Sequence, residues 1–227
     1  MEQKQLQSVI EQSIPAWIHL NKDQKDTLLS NSMEVGYKAH QTIHGEGDDC
    51  VGVLIIEEGD LRVYMLSEEG REVTLYRLSK GDVCILSASC ILSSISFDVF
   101  IETETNVTAV LIDTATFSSL MDENVYLENY VYKVTTERFS DVMWAMQQVL
   151  FMSMDKRVAI YLLDEMNRSK STCIEVTHET IAKYIGSARE VVSRMLKYFE
   201  KEGIVELNRG GILITNKQRL KDLINGR

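Results

Sequence analysis

The sequence predicts an α+β chain in which a double-stranded β-helix of the jelly-roll kind precedes a long helix and a winged helix-turn-helix. Three observations carry this expectation. Between Met33 and Asp113, short apolar or alternating runs (VGVLIIEEGDLRVYML, EVTLYRL, FDVFIET, VTAVLI) recur between glycine-bearing turns, the texture of many short strands in a barrel or roll. Residues 115–150 contain neither proline nor glycine, which one long helix explains most simply. THETIAKYIGSAREVVSRMLKYFEKEG reads as two amphipathic helices about a glycine, the pattern of a helix-turn-helix.

Bulk properties bound the rest. A chain of 227 residues with 44% hydrophobic and 26% charged content and one proline suits two modest globular domains without long disordered linkers. No apolar run approaches the ~20 residues that span a bilayer. The start, MEQKQLQSVIEQ, lacks the basic-then-apolar order of a secretory signal. The expectation is a cytoplasmic protein whose Cys50, Cys84, Cys90 and Cys173 are thiols rather than a disulfide framework. The net charge of −10 argues at first against nucleic acid, but residues 1–150 carry −14 and residues 151–227 carry +4. Nucleic-acid binding needs cations near the phosphates, not a basic chain overall.

Taken in order, residues 1–32 read as short amphipathic helices, with Leu20, Leu28 and Leu29 at roughly helical spacing. The roll follows, punctuated at Gly45–Asp49, Glu58–Asp60, Glu68–Gly70 and Lys80–Asp82; SEEGREV is its natural hairpin. In the long helix, steps of three and four select Val125, Glu128, Tyr132, Thr135, Phe139, Val142, Met146 and Val149. Six of these eight are apolar, an imperfect coiled-coil seam for a second copy; the alternative is packing against this chain's own roll, and a helix this long has two faces to bury, so both can hold. A further helix is expected over Asp155–Asn167, then a short strand in CIEV. The domain boundaries that follow are 1–116 for the roll with its N-terminal helices, 117–150 for the dimerisation helix and 151–227 for the winged helix-turn-helix.

The last segment carries the sharpest chemistry. Thr177 is placed to cap a helix running to Ile185 with Ile181, Ala182 and Ile185 inward, Gly186 makes the turn, and Ser187 is placed to cap Ala188–Lys201. There Val191, Val192, Met195, Leu196 and Phe199 form one stripe, leaving Arg189, Glu190, Ser193, Arg194 and Lys197 outward. Arginine can donate a fork to guanine O6 and N7, and glutamate can accept from a cytosine amino group, which suits Arg189, Arg194 and Glu190 for base readout. Thr177, His178, Lys197 and Arg209 suit phosphates. Ile204–Leu207 and Ile212–Thr215 flank Asn208–Gly211 as a β-hairpin wing. The other interpretation is a winged helix used for protein contacts.

Over nearly its whole length the chain resembles the Crp/Fnr family of bacterial regulators. The glycine-punctuated IHGEGDDCVGVLIIEEGDLRVYMLSEEGREVTLYRLSKGD, the long helix, FMSMDKRVAIYLL and Ser187-Ala188-Arg189-Glu190 with Arg194 occur in the family's order. The resemblance implies a homodimeric, sequence-specific transcription regulator that binds a near-palindromic operator in double-stranded DNA and has RNA polymerase as a partner.

The departures from that family bear on what controls it. After Gly81-Asp82 the chain reads VCILSASCILSSISFDVF, with no glutamate where cAMP receptors hold ribose and no arginine between Arg77 and Lys133. A buried phosphate needs a cation or several donors to offset its desolvation, and Val142 and Met143 stand about where those receptors contact adenine. cAMP is therefore not the expected effector. No cysteine precedes Cys50, so an Fe–S cluster of the oxygen-sensing type is not expected; nor is haem or metal at the scattered His19, His40 and His44.

Two readings of the sensor stay open. Cys84 and Cys90 could undergo thiol chemistry or simply fill a core. Ser87 and Ser89, with Ser93, Ser94 and Ser96, could line a pocket for a polar or anionic ligand. A cyclic-nucleotide-like module acting through protein contacts is the competing function. No enzyme is expected, because no catalytic constellation can be assembled.

Overall fold

The computed structural model describes residues 3–45, 50–85 and 99–226. They form two compact units, Met1–Met65 with Leu75–Val142, and Leu66–Thr74 with Met143–Arg227.

The first unit opens with α1 (Gln3–Ser13), a 3₁₀ turn (Pro15–His19) and α2 (Lys22–Ser30). The start of α2 is fixed reciprocally: Asn21 accepts from the Gln24 amide at 2.9 Å while the Gln24 side chain accepts from the Asn21 amide at 3.1 Å. Such a box satisfies two first-turn donors that the helix itself leaves unpaired.

Among the described residues eight strands follow: β1 (Ser32–Tyr37), β2 (Thr42–His44), β3 (Val53–Glu58), β4 (Leu61–Leu66), β5 (Glu72–Leu78), β6 (Val83–Cys84), β7 (Phe100–Thr103) and β8 (Val107–Ile112). They pair as two four-stranded sheets, ordered β1-β8-β3-β6 and β2-β7-β4-β5, with antiparallel ladders such as Ser32↔Ile112 to Tyr37↔Val107. The expected roll is thus the observed architecture. At the β3–β4 turn Gly59 has φ +88°, and a Cβ there would lie 2.2 Å from the Asn106 carbonyl; only glycine meets both demands.

The core of this unit joins the N-terminal helices (Leu6, Ile10, Trp17, Leu28) to the roll (Val53, Ile55, Val110, Ile112) and to the helices after it. One helix was expected over 115–150; there are two, α3 (Thr114–Glu123) and α4 (Val125–Phe151). Asn124 separates them in an extended conformation. Its Oδ1 accepts from the Tyr126 and Leu127 amides, and its Nδ2 donates to the His19 carbonyl and Gln24 Oε1. A side chain that can cap the next helix offers the backbone an alternative to continuing the first, which glycine–proline punctuation does not reveal.

On α4, Leu127, Val131 and Val134 are buried with the roll core. Farther along the same helix, Arg138 lies 3.4 Å from Asp82 and 3.1 Å from Asp141, its guanidinium over the Tyr76 ring at 5.2 Å. The expected seam lies on another face. Val125, Tyr132, Phe139, Met146 and Val149 are exposed, Phe139 by 62%, and Thr135 and Val142 are half-buried. Tyr126, Met143, Trp144, Leu150 and Phe151 widen this apolar strip beyond the heptad positions.

The cysteines correct one expectation. Cys50 is disulfide-bonded, whereas Cys84 and Cys173 are thiols. The thiol expectation came from the inferred compartment, and spacing carries no pairing information. Cys84 is buried on β6, opposite Leu54. Cys90, Ser87, Ser89, Ser93, Ser94 and Ser96 lie outside the described residues.

The second unit contains α5 (Met154–Ser169), β9 (Cys173–Ile174), α6 (His178–Ile185), α7 (Arg189–Lys201), β10 (Val205–Asn208), β11 (Gly211–Ile214) and α8 (Lys217–Asn225). Its core gathers Val158, Leu162, Ile181, Val192, Leu196, Phe199, Ile212 and Leu220. The last helix goes beyond the sequence reading, which ended on the wing. Asn216 caps it by accepting from the Arg219 amide at 3.0 Å, and Leu220 buries it in this unit's core.

Candidate nucleic-acid interface

The first helix of the motif is closed at both ends. At its start Thr177 is extended, and its Oγ1 accepts from the Thr180 amide at 3.0 Å, as its residue type predicts. At its end Gly186 adopts the left-handed region at φ +64°, and both Gly186 and Ser187 donate their amides to the Ala182 carbonyl. Such a terminus satisfies carbonyls the helix leaves open. The chain also meets Val73 there, since a Cβ on Gly186 would come within 2.8 Å of Val73 Cγ2. Beside it, Lys183 Nζ sits 2.8 Å from Glu72 Oε1; Glu72 and Val73 belong to the Leu66–Thr74 segment of this same unit.

Arg157, on α5, was not among the residues singled out by sequence. Its Nη1 donates to the Ile185 carbonyl at 2.8 Å, placing a cation at the C-terminal end of α6, where the helix dipole favours one. No sequence spacing marks this contact, which exists only once α5 packs on α6. Removing a charged donor from such a carbonyl costs on the order of 1–3 kcal/mol. Arg157→Ala is therefore expected to lower the denaturation midpoint of the full chain, and an unchanged midpoint would show that the contact contributes nothing.

The second helix differs in its cap. Ala188, not Ser187, occupies the N-cap position, and no side chain caps α7. The Ser187 amide instead donates to the Ala182 carbonyl at the close of α6, and α7 starts one residue later than expected. Val192, Leu196 and Phe199 are fully buried, while Val191 and Met195 are only partly so. On the opposite face Arg189, Glu190, Arg194 and Lys197 are exposed. Ser193 is half-buried because its Oγ lies 2.8 Å from His178 Nδ1. That bond joins α6 to α7, and burial together with the Arg189 and Lys197 cations holds the His178 imidazole below the usual histidine range.

The wing forms as expected. β10 and β11 pair from Val205↔Ile214 to Asn208↔Gly211, leaving Arg209 and Gly210 at the tip, and β9 adds a third strand. Glu200 on α7 accepts from the Leu207 amide at 3.1 Å, tying the hairpin to the helix. A cleft of about 360 Å³ between wing and motif is lined by Glu175, Thr177, His178 and Arg209 among others. One face of this unit thus gathers α7's charged side chains, His178 and the wing tip, a surface that can meet anions and hydrogen-bonding base edges. Among the described residues no group of three or more His, Cys, Asp or Glu could hold a metal, and no helix is long and apolar enough to cross a membrane.

The family described as the Crp-like helix-turn-helix domain matches residues 156–223, and the cyclic nucleotide-binding domain matches residues 34–124. A crystal structure from Eubacterium rectale, assigned to the transcriptional regulators of the Crp/Fnr family, is 43% identical, covers 94% of this chain and 99% of its own, and superposes with a TM-score of 0.91. The chain belongs to the Crp/Fnr family of transcriptional regulators. Among curated relatives, the cAMP-activated global transcriptional regulator Vfr of Pseudomonas aeruginosa is 25% identical over 80% of this chain and 89% of its own. Electron transport regulator A of Shewanella oneidensis is 23% identical over 91% and 84%.

Membership makes this Crp/Fnr protein a DNA-binding transcription regulator rather than a protein-contact module. It does not carry the effector across from any relative. Among the described residues, the sequestered arginines of this regulator's first unit already face carboxylates: Arg62 meets Glu102 at 3.4 Å, Arg77 meets Glu104 at 2.9 Å, and Arg138 meets Asp82.

Proposed function

We propose that this regulator binds a near-palindromic operator as a homodimer, with α7 of each protomer in the major groove and an effector other than cAMP, or thiol redox chemistry, acting through the roll. The division is 1–116 for sensing, 117–150 for dimerisation and 151–227 for DNA. In this reading Arg189, Arg194 and Glu190 contact base edges, while Thr177, His178, Lys197 and Arg209 contact phosphates, with Ser187 and Ser193 beside them. The exposed charged face of α7, opposite a fully buried apolar face, is the observation that carries it. A solvent-exposed row of such side chains on a capped, rigid helix is what base readout requires.

Dimerisation rests on the exposed strip from Val125 to Phe151. A second copy presenting the same strip would bury it by two-fold symmetry, continuing the coiled-coil spacing of Val125, Tyr132, Thr135, Phe139, Val142, Met146 and Val149. The effector would bias how the two copies of α4 pack and so set the separation of the recognition helices. RNA polymerase is the partner that transcription control implies. The carboxylate-paired arginines of the roll support an effector without a phosphate held in the cAMP manner. Cys84 remains a candidate thiol, though its burial slows any reagent.

The test combines gel filtration with a DNA shift at several salt concentrations. The expected result is a dimer whose affinity falls steeply with salt, as phosphate contacts release counterions. A monomer with no shift at low salt contradicts the reading.

A further inference from the structure

We propose that His178 is a proton-linked phosphate contact, so that DNA binding by this regulator takes up protons and weakens as pH rises. The inference deepens the DNA-binding reading and rests on it.

The geometry is specific to this chain. His178 opens α6 directly after its cap, and its Nδ1 is engaged by Ser193 Oγ of α7 at 2.8 Å. Among the described residues its Nε2 has no hydrogen-bond partner, and the ring forms part of the cleft wall shared with Thr177 and the wing residues Arg209 and Gly210. The charged groups around it are Arg189 and Lys197 from α7, Arg209 from the wing, Glu175 on the approach to α6 and Glu179 on α6 itself. In the protein without DNA a charged imidazole is disfavoured, first by burial and then by Arg189 and Lys197.

A DNA phosphate entering this cleft reverses the balance. It neutralises the neighbouring cations and offers Nε2 an acceptor that a protonated ring meets with a charge-assisted hydrogen bond. The complex then binds more protons than the separated partners. By linkage, affinity is greatest below the lower, DNA-free pKa. It declines between that value and the raised pKa of the complex, by up to tenfold per pH unit for each protomer. His178 is the single histidine in the unit that carries the motif, the other three being His19, His40 and His44, so substitution isolates its signal.

The experiment measures affinity of the full-length protein for a mixed-sequence duplex of about 30 base pairs at low salt, between about pH 5 and 8, where histidine titrates. Calorimetry in two buffers of different ionisation enthalpy counts the protons. The wild type is expected to bind more weakly as pH rises and to take up protons. His178→Gln is expected to bind with a flat profile near the wild-type affinity at high pH, and His178→Lys with a flat profile near the affinity at low pH. A slope that persists unchanged in both variants, or a wild type that binds with no slope and no proton uptake, overturns the proposal while leaving DNA binding intact. Absence of any binding across the whole range overturns both.

Discussion

Replacing Phe139 by glutamate is expected to turn the proposed dimer into a monomer and to lower operator affinity by about 10²–10⁴-fold, the advantage that joining two binding modules confers. Phe139 is 62% exposed in the single chain and lies midway along the strip of α4. In a coiled-coil seam its substitute would place two carboxylates near the symmetry axis with no cation to meet them. Leaving an unpaired charge buried costs on the order of 3–5 kcal/mol, enough to abolish association at micromolar concentrations. The side chain is not a member of the buried core of its own chain, to which α4 contributes Leu127, Val131 and Val134 from another face, so the folded protomer should survive. Circular dichroism and gel filtration of the variant check both statements. A Phe139→Glu protein that still elutes as a dimer places the interface elsewhere.

The second large effect concerns base readout. Arg189→Ala is expected to cost about 1–3 kcal/mol for each half-site if the guanidinium forks onto a guanine, and the loss should be confined to sequences carrying that base. Arg194→Ala should behave in the same way at a different position. Lys197→Ala is the control: as a phosphate contact it should weaken all duplexes alike and reduce the salt slope by about one. All three side chains are exposed on α7 and none is part of its buried face, so stability should change little. If Arg189→Ala loses affinity equally on every sequence, the residue holds phosphate and does not read a base.

Much of this was legible in the chain itself, for identifiable reasons. The roll announced itself because each hairpin needs its own turn chemistry, as Gly59 illustrates with a positive φ and a carbonyl 2.2 Å from where a Cβ would stand. Thr177 and Gly186 marked the limits of α6 because caps are local chemistry. Non-local partners stayed hidden. Asn124 ends one helix and begins the next through His19 and Gln24, 105 and 100 residues upstream. Arg157 finds Ile185 only after two helices have packed, and Ser187 falls in the turn that closes α6, with Ala188 at the N-cap position in its place. α8 differs, since an Asn216 cap and apolar Leu220, Leu223 and Ile224 at helical spacing are present in the sequence, but so short an amphipathic segment gains its helical form from packing Leu220 into the core. For the sensor, Cys84 is legible as a buried thiol, and its companions in the serine-rich run fall outside the described residues.

The central claim is that two copies of α7 read DNA symmetrically. Selection of bound duplexes from a random pool by the full-length protein, followed by footprinting of the recovered sequence, tests it most directly. The account predicts a near-palindrome whose half-sites are centred about 34 Å apart, one turn of the double helix, with protection of both halves. Recovery of a single unrepeated site, or of no sequence preference at all, would contradict it.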